Sequence, residues 1–208
     1  MPKALALSLQ TLVAGLAVSI LIALSISQLA FRPLFAESTA WEASPAASVG
    51  DFPDVAIESS TGTHTTFAAT NGHVRVATMF YAHCPGVCPM TFQELRQIEG
   101  QLSAVQRARL NFVLLSLDPT HDSPADLREL ARQHGMSGPG WLVGRTSEAE
   151  TGSFAAATGI QYRHLSNGSI DHSSALVLLD EQGHIRARMA DSADTANFVA
   201  AVHHALDR

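Results

Sequence analysis

The sequence predicts an α/β fold in which helices cover both faces of a central sheet. Three apolar runs, at 74–82, 111–117 and 174–179, are rich in β-branched, aromatic or aliphatic residues, as is typical of buried strands. Helical patterns lie between and after these runs, and such an alternation favours helices on both faces of one sheet. The 172 residues that follow position 36 are enough to bury a single core.

Turn signals give the order of the strands. Residues 52–67 are expected to form a short hairpin that turns at Thr61-Gly62. Asn71-Gly72 precedes the first buried strand, which extends from Val74 to Ala82. The third buried strand ends at the turn of residues 180–183, so residues 184–189 are predicted to be its hairpin partner.

Four helices are predicted from their starting signals and apolar spacing. One begins near Pro89, and a second begins at Pro124 after the N-cap Ser123 and stops at Gly135. The pattern Ser-Glu-Ala-Glu at 147–150 is a capping box that opens a third helix, to about residue 157. The last helix, at 193–206, has four apolar residues on its inward face: Phe198, Val199, Val202 and Leu206.

The N-terminal segment differs from the rest of the chain. Residues 4–31 contain no charged side chain and exceed the ~20 apolar residues that cross a bilayer. A cleavable signal peptide has a shorter apolar stretch and a small-residue cleavage site, so residues 1–36 are expected to be an uncleaved anchor, with a signal peptide as the alternative. Lys3 and the α-amine favour a cytoplasmic N-terminus, which predicts a single-pass protein of a bacterial-type inner membrane whose domain faces the periplasm. Residues 37–50 are predicted to be a flexible tether, and 51–208 the globular domain.

Charge and cysteine content exclude several classes of function. Lys3 and Arg32 are the only charged residues before Glu37, so the chain from Glu37 onward has a formal net charge of −8. Nucleic-acid binding needs clustered lysine and arginine, and Lys3 is the only lysine, so no nucleic-acid partner is expected. The two cysteines exclude a disulfide-rich scaffold and a four-cysteine metal site.

The two cysteines, Cys84 and Cys88, lie between the first buried strand and the first helix, in YAHCPGVCPMTF. With Pro89 as the first helical residue, Cys88 is expected at the N-cap, and 84–88 form an exposed crest in which the helix N-terminus lowers the thiol pKa. The alternative is a pair of buried structural cysteines. Three intervening residues, where thioredoxin-type redox centres have two, still permit a disulfide but also let both sulfurs face one metal ion.

A third ligand would come from the ten histidines of the chain. His172 is the strongest candidate because it directly precedes a buried strand, in SIDHSSALVLLD, where a loop could bring it beside the cysteines. His121 lies in a loop after the second buried strand, and His83 adjoins Cys84 but points to the opposite side if the strand continues. Two thiolates and an imidazole suit copper as Cu(I) or Cu(II), whereas zinc more often takes a fourth ligand.

Three motifs in this order resemble the Sco/SenC family of membrane-anchored, thioredoxin-like copper proteins that help to assemble the CuA centre of cytochrome c oxidase. They are YAHCPGVCPMT, LSLDPTHDSP and IDHSSALVLLD, within a resemblance that covers roughly residues 48–206. The resemblance implies a thioredoxin-like fold and a copper site made by Cys84, Cys88 and His172. It also implies a cytochrome c oxidase subunit carrying CuA as the recipient, and a thiol reductant or copper donor protein as a further partner.

The chain departs from the family pattern at two positions near these motifs. Gly86 stands where the family often has aspartate, and His121 where it often has arginine. Neither change removes a ligand, but both alter the charge near the site. His121 is a candidate for an auxiliary ligand or for a pH-sensitive neighbour of the site. Asp118 is expected to cap or orient its loop rather than to bind metal. A rival hypothesis makes Cys84 and Cys88 the redox-active pair of a thiol-disulfide oxidoreductase, and a third makes the protein a copper- or redox-responsive signalling protein.

Overall fold

A computed structural model describes residues 52–84, 87–190 and 194–207. The predicted anchor at 1–36 and the tether at 37–50 lie outside these residues. None of the helices within the described part of the chain is both long and apolar enough to cross a bilayer.

Seven strands of the described chain form one mixed sheet, and two more form a separate hairpin. The nine strands are β1 (Ala56–Ser59), β2 (His64–Thr66), β3 (Val74–Phe80), β4 (Leu110–Ser116), β5 (Trp141–Arg145), β6 (Tyr162–His164), β7 (Ile170–His172), β8 (Ala175–Leu179) and β9 (Ile185–Ala190). The sheet order is β2-β1-β5-β4-β3-β8-β9, and the hairpin pairs β6 with β7. The central strands β3, β4 and β5 are parallel, whereas the remaining neighbours in the sheet pair antiparallel.

The three predicted buried runs become β3, β4 and β8, and all residues of β3 and β8 are buried. β3 and β4 pair in parallel with Val76 opposite Phe112. Strands covered on both faces have continuous apolar sequences rather than an alternating pattern, which explains why these runs were recognisable. The predicted hairpins β1–β2 and β8–β9 are also confirmed.

Helices cover both faces of the sheet, as predicted. They are α1 (Val87–Gly100), α2 (Ala104–Arg107), α3 (Pro124–Gln133), α4 (Glu148–Thr158) and α5 (Thr195–Leu206), with a 3-10 helix at Ala68–Thr70. On one face, side chains of α1, α3 and α5 pack with Val76 and Phe112 in the larger core cluster. On the other face, Phe154 of α4 packs in a second cluster with Met79 and Leu115. Alternate residues of β3 and β4 therefore contribute to different cores.

The predicted helix signals are confirmed where they depend on capping. Ser123 accepts a hydrogen bond from the backbone of Asp126, and Ser147 accepts one from Glu150, in two complete capping boxes. The four apolar residues predicted to face inward on the last helix are all buried. The first helix begins two residues before the predicted Pro89, a difference that affects the cysteine site described below.

The strand β5, the hairpin β6–β7 and the short helix α2 were not predicted. β5 has the sequence WLVGR, in which a glycine and an arginine interrupt the apolar run. The tertiary structure requires glycine at this position, because a Cβ atom on Gly144 would lie 2.7 Å from the carbonyl oxygen of Glu58 in β1. Close pairing of β1 with β5 therefore requires the residue that weakens the strand signal.

Gly144→Ala is expected to destabilise the domain by about 1–3 kcal/mol, because β1 must move to relieve the overlap. Gly100→Ala is the matched control, since a Cβ atom there meets nothing within 4 Å. This control should be neutral or stabilising by up to about 1 kcal/mol, as expected for alanine in a helix. The free energy of unfolding in urea measures both effects, and equal stabilities for the two variants would contradict the close β1–β5 approach.

Candidate metal centre

The loop that carries Cys84 leaves the carboxyl end of the central strand β3. Such strand ends are where open α/β sheets place their binding sites. The Cys84 backbone N–H donates a hydrogen bond to the Tyr81 carbonyl oxygen, 3.2 Å away, which turns the chain after the strand. The Cys84 side chain is half-buried and touches both core clusters, so its sulfur lies at the junction between them.

Cys88 differs from its prediction in position and exposure. Helix α1 begins at Val87, so Cys88 lies within the first turn rather than at the N-cap before Pro89. Pro89 is compatible with this position because the first four N–H groups of a helix have no acceptor within it. Cys88 is only 2% exposed and belongs to the larger core cluster, so this cysteine is buried rather than exposed as predicted.

Burial also reverses the expected effect on the Cys88 thiol. A hydrogen bond with Cys84 and desolvation raise the pKa of Cys88 above the ordinary thiol value. A helix N-terminus stabilises a nearby thiolate, but here the low-polarity surroundings and the paired thiol outweigh it. The metal-free protein therefore favours the protonated form of Cys88, and metal binding there must displace that proton.

His172 lies at the end of β7, which pairs with β6 so that His172 is opposite Tyr162. Its Nδ1 is 2.9 Å from the carbonyl oxygen of Ser173, which fits a tautomer in which Nδ1–H donates this hydrogen bond. The other ring nitrogen, Nε2, is then a free acceptor, 3.6 Å from the sulfur of Cys84 and 3.6 Å from that of Cys88. A carbonyl partner of this kind commonly orients metal-binding histidines.

The protonation of His172 depends on opposing effects. Burial disfavours the imidazolium, but the hydrogen bonds with Cys84 and with the Ser173 carbonyl favour it. The net result is a pKa above the ordinary histidine value. The three predicted residues thus form one group whose ligand atoms all lie within 4.8 Å of one another. Two soft sulfurs and one imidazole nitrogen facing a common point can bind a thiophilic metal, and the two thiols can also form a disulfide.

The other predicted candidates lie apart from this group. The strand β3 ends at Phe80, before His83, whose side chain is 79% exposed, and that of His121 is 77% exposed. Nδ1 of His121 is 2.7 Å from the Asp118 carboxylate, and this hydrogen bond raises the His121 pKa. Asp118 also accepts a hydrogen bond from the Thr120 hydroxyl, so it orders its loop as predicted.

A buried carboxylate beside the site, Asp122, was missed in the sequence. Its side chain is 0% exposed, and Oδ2 accepts hydrogen bonds from the Ala82 N–H at 3.0 Å and from the Ser116 hydroxyl. Asp122 thereby ties the loop before Cys84 to the end of β4. Asp122 directly precedes the N-cap Ser123. An acidic residue near a helix start is ordinarily expected to be solvated, so no sequence signal indicated that this carboxylate is buried.

The second carboxylate oxygen of Asp122 has no hydrogen-bond partner within the described residues. Nδ1 of His83 lies 3.9 Å from this oxygen. Desolvation consequently raises the pKa of Asp122, although the bonds from Ser116 and Ala82 partly oppose this shift. The loop that carries Cys84 is therefore attached to the sheet through a carboxyl group whose pKa lies above the ordinary aspartate value.

The fold and the site together define a class of protein: a thioredoxin-like α/β domain with a Cys–Cys–His group at the end of its central strand. The SCO1/SenC family profile matches residues 45–207, so the chain belongs to the SCO1/SenC family. A curated protein of Stutzerimonas stutzeri named "Putative copper-binding protein" is 31% identical over 114 residues. That match covers 52% of this chain and 54% of the relative, so the chain matches about half the length of that protein.

Solved structures share the fold at low sequence identity. A SCO1/SenC family lipoprotein from Bacillus anthracis superimposes with a TM-score of 0.67 and 17% identity, over 74% of this chain and 94% of that one. For Bradyrhizobium japonicum ScoI with copper bound, the TM-score is 0.61 and the identity 16%, over 75% and 99% of the chains. BsSco, a Sco-family cytochrome c oxidase assembly protein with a disulfide switch, gives 0.65 and 17%, over 76% and 94%.

The stability of the reduced, metal-free chain should depend on pH through Asp122. Because its folded-state pKa is raised, its contribution is fully present below the ordinary aspartate pKa and is lost as the pH rises through the folded value. Asp122→Asn, similar in shape but uncharged, lacks this dependence. Urea unfolding between about pH 4 and pH 8 should show wild-type stability falling relative to the variant as the pH rises above roughly 4. Parallel pH profiles would contradict a buried carboxyl at this position.

Proposed function

We propose that this protein binds copper through Cys84, Cys88 and His172 and delivers it to, or prepares, the CuA site of cytochrome c oxidase. The observation that carries the proposal is the position of His172 Nε2, 3.6 Å from each of the two sulfurs. Membership of the SCO1/SenC family supports copper as the metal, as does the copper bound in the Bradyrhizobium protein.

The donor set suits a protein that must release its cargo as well as hold it. Thiolates prefer Cu(I), and a set of two thiolates and one imidazole also accepts Cu(II). Three ligands leave room for an incoming ligand, so copper can pass to a recipient by stepwise exchange. Cys84 is half-buried whereas Cys88 is buried, so a ligand of the recipient reaches the Cys84 side first. Both thiols must be reduced before loading, because a disulfide cannot bind copper in this way.

The proposal extends to the location and partners predicted from the sequence. Residues 1–36 anchor the chain in a bacterial-type inner membrane, and residues 37–50 give the domain reach on the periplasmic side. The relative from Bacillus anthracis is a lipoprotein, which supports membrane association. The recipient is the oxidase subunit that carries CuA, and a thiol reductant or copper donor acts before it.

A second candidate function is thiol-disulfide exchange on a target copper site. The two cysteines are close together and not joined in a disulfide, and the more exposed Cys84 is placed to attack. Its thiolate would form a mixed disulfide with a target cystine, releasing one target thiolate. Cys88 would then attack the Cys84 sulfur, releasing the second target thiolate and leaving a Cys84–Cys88 disulfide. The disulfide switch of BsSco favours this reading.

Anaerobic Cu(I) competition titration tests the copper proposal. Reduced wild-type chain should bind one copper tightly, and Cys84→Ser or Cys88→Ser should abolish tight binding. His172→Ala should weaken binding by at least about 100-fold, since even outer partners of a metal site contribute roughly 10–100-fold. His83→Ala and His121→Ala are matched controls, because both imidazoles are exposed and lie outside the ligand group. Equal affinity in wild type and His172→Ala would contradict the three-ligand site.

The rate of disulfide reduction by the metal-free chain separates the two functions. If copper delivery is the function, the reduced chain should reduce a cystine-containing target peptide no faster than a simple dithiol does, because Cys88 favours its protonated thiol. Fast reduction that is retained in His172→Ala and lost in Cys84→Ser would favour the oxidoreductase.

A further inference from the structure

Tyr81 occupies a position next to the metal centre that the proposed function does not use. It follows the last residue of β3 and is 5% exposed, within the second core cluster. The Tyr81 carbonyl oxygen accepts a hydrogen bond from the Cys84 N–H, so the Tyr81 backbone fixes the start of the loop that carries Cys84. Its side chain lies against the centre as well.

The Tyr81 ring packs edge-on against the imidazole of His172, with centroids 5.7 Å apart and an interplanar angle of 78°. Its phenol lies close enough to the side chain of Cys84 and to the backbone of Ile170 for both to affect the Tyr81 pKa. Ile170 lies in β7, two residues before His172. One side chain therefore contacts a sulfur ligand, the imidazole ligand and the strand that positions this imidazole.

A third contact joins Tyr81 to the buried cysteine, since the Tyr81 backbone lies close enough to the Cys88 thiol to lower its pKa. All three members of the Cys–Cys–His group thus contact Tyr81, through its backbone, hydroxyl or ring. These members come from three segments, namely the loop after β3, the first turn of α1 and β7. Tyr81 is the residue at which these segments meet.

We propose that Tyr81 is a positioning residue whose hydroxyl donates a hydrogen bond to the Cys84 sulfur while its ring orients His172, so that it sets the preference of the centre for Cu(I) over Cu(II). This inference deepens the proposed copper function and rests on it.

The direction of the effect follows from the electronic demand of the two copper states. A hydrogen bond donated to a thiolate withdraws electron density from the sulfur, and hydrogen bonding around cysteine sulfur tunes copper redox potentials. Cu(II) needs more electron donation from sulfur than Cu(I) does. The Tyr81 hydroxyl therefore favours Cu(I), and its removal favours Cu(II).

Tyr81→Phe tests the proposal, because it removes the hydroxyl and retains the ring beside His172. In the full-length chain, purified in mild detergent, the ratio of Cu(II) to Cu(I) affinity should rise roughly tenfold. A tenfold change equals a fall of about 59 mV in the one-electron potential. The thiolate-to-Cu(II) charge-transfer absorption should shift at the same time. These readouts would not move if Tyr81 served only to fill space.

Two further variants make the test specific. Tyr162→Phe is the matched control, because Tyr162 is the only other tyrosine and lies opposite His172 in β6. Its own ring neighbour is His164, so this substitution should leave the affinity ratio and the absorption unchanged. A fluorotyrosine at position 81, in the Tyr162→Phe background, is a stronger donor and should shift the ratio in the opposite direction.

The possible failures can be distinguished. If wild type and Tyr81→Phe show the same absorption and the same affinity ratio, the role of Tyr81 is overturned while the copper site stands. If the full-length wild-type chain shows no thiolate-to-copper absorption and no tight copper binding, the proposed function fails and this inference fails with it. Equal shifts in Tyr81→Phe and Tyr162→Phe would also overturn the specific role of Tyr81.

Discussion

The approach of one imidazole nitrogen to two sulfurs is the constraint on which the rest of the site depends. His172 Nε2 lies 3.6 Å from both sulfurs, although the histidine is 84 residues away from Cys88 along the chain. Holding three ligand groups from distant parts of the chain within 4.8 Å of one another requires well-ordered supports. The parallel strands β3 and β4 support the loop that carries Cys84, and the hairpin β6–β7 brings the imidazole of His172 next to the two sulfurs.

The loop before Cys84 is fixed from several directions. Asp122 joins the Ala82 N–H to Ser116 at the end of β4, while the Tyr81 carbonyl accepts the N–H of Cys84. Both hydrogen bonds, from the Ala82 N–H and from the Cys84 N–H, lie where β3 has ended and the chain turns toward α1. Burying the Asp122 carboxyl group with one unpaired oxygen destabilises the fold, while the hydrogen bonds of its other oxygen hold the loop in place. Such supporting groups set ligand orientation as much as the ligands themselves do.

The two cysteines are chemically unequal because their burial differs. Cys88 lies in the core with a raised pKa, whereas Cys84 is half-buried at the junction of the two core clusters. Copper binding and disulfide formation both remove the thiol protons. In either reaction, the more exposed Cys84 is the cysteine that a partner protein reaches first. The same asymmetry is compatible with both proposed functions, copper delivery and thiol exchange, so the fold by itself does not choose between them.

The residue types and local order of the site, and most of the sheet, were determined by the sequence. Continuous apolar runs marked β3, β4 and β8, and Ser123 and Ser147 marked two helix starts, because burial and capping act on residues that are neighbours in the chain. Only the tertiary structure revealed β5, in which the close approach of the β1 backbone requires Gly144. The burial of Cys88 and Asp122 was likewise visible only in the folded chain. The sequence pointed to His172 among ten histidines, but only the fold showed that its Nε2 lies 3.6 Å from each sulfur. The physical reason is that burial and ligand distances depend on segments far apart in sequence, which no local pattern records.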